Sequence, residues 1–247
     1  MLFRSAMNYD HLMSLKMKDM NFSYSDSETI LYALGVGFGR DALDKNELAF
    51  TFEGGKLKTV PTLAVVLTRN SLLADCGWDY SKVLHGEQRL ELYRPLPPEG
   101  DLIADGHVSE AYDKGEGKGA LVLSEVNVRL KSDGEPLFKV GSTIFARGDG
   151  GFGGPAGNGP APHQVPERAP DASCILETRV DQALLYRLSG DRNPLHADPD
   201  LAQQVGFPVP ILHGLCTYGT ACRALLTTIC DYDHTMITNT NATTTTN

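Results

Sequence analysis

Asp191, Asn193 and His196 are packed around Pro194, and His213-Gly214 follows after a short intervening segment. A carboxylate and an imidazole five positions apart around a proline turn could both reach one water molecule, the arrangement that general acid–base chemistry needs. Asn193 between them is polar without titrating, which suits orienting a water or a ring. His213 introduces a candidate helix, so the Gly214 backbone N–H would sit in a first turn, where amides lack internal partners and carry partial positive charge. Such a group can stabilise a developing oxyanion. The same donors admit other readings. Asp191-Arg192-Asn193-Pro194 is also an ordinary turn sequence, in which an aspartate bonds its own backbone. Asp191, His196 and His213 together would suit zinc or iron. His85-Gly86 echoes His213-Gly214 but opens a strand, so it is read as structural. Cys216 and Cys222 are read as packing residues.

The elements that must position these groups are legible in outline. Ser25-Asp26-Ser27-Glu28 fits a capping box, and Ile30, Leu31 and Leu34 follow at helical spacing, so a helix starts near Asp26 and stops at the glycines of 35–39. Residues 48–52 read as a short strand or turn entry. The apolar run 62–67 behind Pro61 fits a buried strand or a buried helix equally. Strands are expected over 89–93, 102–111, 120–130 and 137–146, separated by turn clusters, as an antiparallel meander with one face on a core. Residues 148–170 are dense in glycine and proline and read as an exposed linker and domain boundary. Beyond it, 173–180 resembles a strand and Asp181 caps a helix leading into the motif. Asp198-Pro199 caps a second helix, and a third runs from about His213 to Thr228. The final residues, rich in Asn and Thr, have too little apolar content to pack.

Composition narrows the function classes. A chain of 247 residues that is 41% hydrophobic can bury a sizeable core. A net charge of −9 offers no general field for polyanions, which argues against nucleic acid as a partner. Five cysteines, odd in number and without a Cys-x-x-Cys pair, point to free thiols in a reducing compartment. No run is long and apolar enough for a membrane span, and residues 1–20 are unlike a signal peptide, so a soluble intracellular protein is expected.

Tyr186-Arg187-Leu188-Ser189-Gly190-Asp191-Arg192-Asn193-Pro194-Leu195-His196, with Gly206-Phe207 and Pro210-Ile211-Leu212-His213-Gly214-Leu215, resembles the active-site segment of the hydratase 2, or MaoC-like, enoyl-CoA hydratases. Tyr32-Ala33-Leu34-Gly35, Phe52-Glu53-Gly54, the segment 84–93 and Gly151-Phe152-Gly153-Gly154 match upstream in the same order as in the hydratase region of peroxisomal multifunctional enzymes of type 2. The resemblance covers residues 22–226 and implies an α+β double hot-dog, each repeat a long central helix wrapped by antiparallel sheet. Residues 61–67 become the first repeat's central helix. Residues 1–147 become the N-terminal repeat that holds the acyl chain, 148–170 the linker, 171–230 the start of the catalytic repeat and 231–247 a low-complexity tail.

The implied reaction is hydration of trans-2-enoyl-CoA to (3R)-3-hydroxyacyl-CoA in fatty-acid β-oxidation, with no cofactor and no metal. Asp191 and His196 are the implied acid–base pair, in either order, with Asn193 in support and Gly214 as oxyanion donor. Glu53, His213 and Arg192 are supporting or substrate-binding positions. A hot-dog thioesterase and a non-catalytic acyl-CoA-binding protein are the competing readings. The resemblance implies a peroxisomal location, although the chain does not end in Ser-Lys-Leu, and a cytoplasmic one is the alternative. The alternating strands of a second sheet are not visible after Leu226. The chain therefore reads as a shortened form, with an exposed helix face that a homodimer or other association would cover.

Overall fold

The computed structural model describes residues 7–68, 72–79, 82–161, 164 and 166–243. Residues 244–247, part of the expected tail, and residues 1–6, part of the stretch compared with a signal peptide, lie outside the described residues.

One antiparallel sheet dominates. Its strands are β1 (Lys16–Tyr24), β2 (Val83–Leu92), β3 (Gly100–Asp113), β4 (Ala120–Leu130), β5 (Pro136–Ala146) and β6 (Asn239–Thr243), in spatial order β1-β3-β4-β5-β2-β6. Within it β3, β4 and β5 form the expected meander. The first expected strand does not extend it from β3: β2 pairs with β5 instead. The connection between β2 and β3 contains Pro95, Pro97 and Pro98, which cannot form a tight hairpin turn. It is tied beneath the sheet by the Tyr24 hydroxyl on the Pro97 carbonyl at 2.5 Å and the Thr29 hydroxyl on that of Pro98 at 2.6 Å. β1 was not anticipated from the sequence.

The helices are α1 (Tyr9–Ser14), α2 (Asp26–Gly35), α3 (Lys45–Leu48), α4 (Leu63–Leu67), α5 (Gln182–Tyr186), α6 (Pro199–Gln204) and α7 (Gly214–Thr228). The capping box at α2 forms: Glu28 accepts the Ser25 backbone N–H at 2.8 Å. Within 61–67 only Leu63–Leu67 is helical, with Leu63, Ala64, Val65 and Val66 all buried, so the helix is five residues long. The stretch 48–52 is the end of α3 and a turn rather than a strand. Asp198 caps α6 as expected, accepting from Asp200 N at 2.9 Å. Asp181 does not cap α5, because its carboxylate is taken by Arg179 at 2.8 Å. Gln182, the first residue of the helix, reaches back instead to accept the Arg179 N–H at 3.2 Å.

Three further expectations are corrected. Residues 173–180 form no strand, and Ile175 and Val180 stand fully in solvent. Strand-forming side chains do not make a strand without a neighbour to share hydrogen bonds, and no described strand lies alongside. The start of the segment 148–170 is not a free linker. Gly151 and Gly153, at φ +83° and +87°, turn their amides onto the Asp113 carboxylate at 2.8 and 3.0 Å, and Phe152 is buried against the sheet. The described part of the tail, expected not to pack, does so. Ile237 is buried, and β6 pairs with the edge of β2 through Gln88↔Ala242 and Leu90↔Thr240. A sheet edge offers main-chain N–H and C=O groups, so Asn and Thr can extend it without apolar side chains.

The helix α7 crosses α2 at Gly219. A Cβ there would lie 2.5 Å from Val36 Cγ1 and 2.7 Å from the Tyr32 hydroxyl, both fully buried residues. Gly to Ala inside a helix ordinarily stabilises by roughly 1 kcal/mol, whereas overpacking costs about 1–3 kcal/mol. Gly219→Ala is therefore expected to destabilise, and an unchanged or raised urea midpoint would contradict this packing. Leu184, Leu188, Leu225 and Ile229 in this half of the chain are each at least 40% exposed. Among the described residues, the half after residue 170 has no sheet of its own, since β6 joins that of the first.

Candidate active site

The chemistry-bearing segment is held by a series of local caps. Asp191 Oδ1 accepts the Asn193 N–H at 3.2 Å, and Asn193 Oδ1 accepts that of Leu195 at 3.0 Å, starting the 3-10 turn Pro194–His196. One lone pair of the Asn193 oxygen is thus used by the turn, and its NH₂ can address a water. The His196 ring is fixed twice. Its Nδ1 lies 2.8 Å from the Ile211 carbonyl, and it stacks on His213 at 3.7 Å between centroids. A carbonyl only accepts, so Nδ1 carries the proton in the neutral ring and Nε2 is the basic nitrogen.

His213 lies behind this pair, 1% exposed, with Nε2 at 3.3 Å from the Asp191 backbone carbonyl and its ring 5.0 Å from that of Tyr186. Tyr186 in turn packs on Tyr32 of α2. The turn 191–196 is therefore braced against the first half of the chain through aromatic contacts. His213 is also the residue before α7, and Gly214 opens that helix with no atom within 4 Å of where a Cβ would be. A thioester can approach the first-turn amides without obstruction.

Asp191, Asn193, His196 and Gly214 line one cavity of about 660 Å³, whose opposite wall is formed by Val126, Val140 and Ile144 of the sheet with Val65 of α4 and Leu72 beyond it. That volume is in the range of small-molecule sites. Arg192 is exposed and does not line it; neither does Glu53, which sits in an exposed turn. His85, read as structural, does line it, with Nε2 held by the Glu87 carbonyl at 3.0 Å. The sequence reading missed Gln88, Ser124 and Ser142, which also face the cavity. The signal was present: Ser124 interrupts the apolar face of β4 between Val122 and Val126.

Asp191, His196 and His213 each offer a ligand atom within 4.8 Å of the others, so a divalent cation would find three donors here. Neither buried cysteine of α7 competes as a nucleophile. Burial pushes the Cys216 thiol up to about 12 and the Cys222 thiol to about 11, leaving both protonated and packed.

An antiparallel sheet with a short helix buried in it, and a second helix whose N-terminus meets an Asp–His pair over that sheet, defines the hot-dog class of thioester-handling proteins. The chain belongs to the MaoC-like, hydratase 2 family: residues 22–148 match the MFE-2 hydratase 2 N-terminal domain, and 162–245 match the MaoC like domain. It is 46% identical to 3-hydroxyacyl-thioester dehydratase Y of Mycobacterium tuberculosis, over 84% of this chain and 72% of that one. With the peroxisomal enoyl-CoA hydratase 2 of Arabidopsis thaliana the identity is 39%, over 94% and 81%. The crystal structure of a MaoC-like dehydratase from Phytophthora capsici superposes with a TM-score of 0.83 at 32% identity, covering 97% and 84%.

Proposed function

We propose that this chain hydrates trans-2-enoyl-CoA to (3R)-3-hydroxyacyl-CoA, a step of fatty-acid β-oxidation. The observation that carries it is the convergence of Asp191, His196 and the α7 N-terminus on one cavity that continues across an apolar sheet face. Asp191 and His196 hold a water over the acyl Cβ, the pair takes one proton from it, and hydroxide adds to Cβ. The enolate-like oxygen that forms is met by the Gly214 N–H, and a proton returned by the pair at Cα completes the addition. Water is consumed whole, and both side chains end as they began. Asn193 steadies the water through its NH₂, and His213 positions His196 by stacking. The acyl chain runs along the sheet side of the cavity.

The test is incubation with crotonyl-CoA, following enoyl absorbance and free thiol together. Loss of absorbance without thiol is the expected result. Thiol release would mean a thioesterase, and binding with neither signal a non-catalytic acyl-CoA-binding protein. Kinship with the Arabidopsis enzyme supports a peroxisomal site of action, whereas the mycobacterial relative belongs to a cell without that organelle. A fluorescent fusion located outside peroxisomes would count against the assignment. No helix among the described residues is long and apolar enough to cross a membrane. A second copy is the proposed cover for the exposed Leu184, Leu188, Leu225 and Ile229. Light scattering is expected to read a dimer, and a stable monomer at micromolar concentration would overturn that.

A further inference from the structure

The wall of the cavity opposite the acid–base pair is not uniformly apolar. Gln88 on β2, Ser142 on β5 and Ser124 on β4 are successive register partners, so their side chains leave the sheet in one row on one face. On either side of the row that face turns apolar, with Val126 and Val140 belonging to one hydrophobic cluster and Val122 and Ile144 to the other. The row therefore marks the gap between two cores, and all three residues line the same cavity as Asp191 and His196.

Gln88 and Ser124 are only 4% and 5% exposed. Polar groups so placed cost free energy unless something bonds them. The Gln88 amide nitrogen gives its hydrogens to the Gly141 carbonyl at 3.1 Å and the Arg89 carbonyl at 3.2 Å. These bonds fix which end of the amide is the oxygen, and Oε1 remains as an acceptor. Among the described residues no protein group bonds Oε1 or either serine hydroxyl. Three adjacent oxygens on a cavity wall, one able only to accept, complement a group that both donates and accepts.

We propose that the row recognises a hydroxyl group on the acyl chain, so that the preferred ligand is a hydroxylated acyl-CoA rather than a plain one. The identity of the thioester rests on the hydratase reading; the row itself does not. A keto group would satisfy the serines but would meet Gln88 Oε1 with a second acceptor, so it gains less.

The test is calorimetric binding of decanoyl-CoA and of its isomers hydroxylated at successive carbons from the sixth to the tenth. At least one isomer is expected to bind about tenfold more tightly than decanoyl-CoA, the worth of one or two net neutral hydrogen bonds. The corresponding keto isomer falls between the two. In Ser124→Ala/Ser142→Ala the advantage falls to the part that Gln88 Oε1 alone can give, and each single variant loses less than the double one. Each change removes one oxygen, and a thermal melt checks that the fold persists. If no isomer outbinds decanoyl-CoA, or if the advantage survives loss of both hydroxyls undiminished, the proposal is overturned and the row holds only water. Saturated thioesters have no double bond to hydrate, so this outcome is independent of the crotonyl-CoA assay, whose failure would remove the hydratase reading alone.

Discussion

Asp191→Asn is expected to lower kcat for crotonyl-CoA hydration by about 10³-fold, in the middle of the range for loss of a positioned acid–base group. Asparagine keeps an oxygen for the Asn193 N–H that Asp191 now bonds at 3.2 Å, so the turn can persist while the proton-transferring group is lost. His196→Asn is the matching change on the other side. Its side-chain NH₂ can keep a donor toward the Ile211 carbonyl, which His196→Ala would leave exposed to the cavity without one. If both residues act on one water, the double variant loses little more than either single variant, because half of the pair has nothing left to work with. Losses that multiply would mean two independent roles. Unchanged melting temperatures alongside the fall in kcat separate chemistry from misfolding, and near-normal turnover in Asp191→Asn would remove the aspartate from the reaction.

The second large effect is on stability. Arg223 in α7 and Glu47 in α3 form an ion pair whose side chains are 10% and 5% exposed, with Arg223 Nε 3.0 Å from Glu47 Oε1. Glu47 also accepts the Gly39 N–H at 2.9 Å and the Arg40 N–H at 3.3 Å, and Arg223 lies over the Phe38 ring at 5.5 Å. The pair joins the helix that presents Gly214 to the loop after α2. Arg223→Ala strands a buried carboxylate, which costs roughly 3–5 kcal/mol in such settings, with the lower end expected because two amides still solvate it. Glu47→Gln combined with Arg223→Leu removes both charges and is expected to recover much of that loss, since a buried pair contributes little net stability over apolar packing. Urea denaturation of the three proteins checks this. A shift below about 1 kcal/mol for Arg223→Ala would show the pair to be effectively solvated, as exposed pairs are.

The features legible in the sequence share a short range. The caps at Ser25 and Asp198 are settled by residues three or fewer apart, and the strands 120–130 and 137–146 by alternation within each. The turn proposed to carry the acid–base pair is legible for the same reason: Asp191, Asn193 and His196 lie on one short segment whose caps are its own side chains. Asp181 shows the limit. Its sequence fits a cap, but its carboxylate pairs with the Arg179 guanidinium and bonds no helix amide.

What only the tertiary structure decided involves partners far along the chain. Asn239–Thr243 carries no strand signal of its own and becomes β6 because β2 presents an open edge, while residues 173–180 carry such a signal and find none. His85, Gln88, Ser124 and Ser142 lie on separate strands, and no spacing rule brings them to the wall facing Asp191; sheet register does. The sequence by itself determined the family and the local turn that holds Asp191, Asn193 and His196, because those depend on neighbours in the chain. The tertiary structure decided which sheet face closes the cavity and what polar groups it offers a substrate, because those depend on how strands pair and on what the interior leaves unfilled.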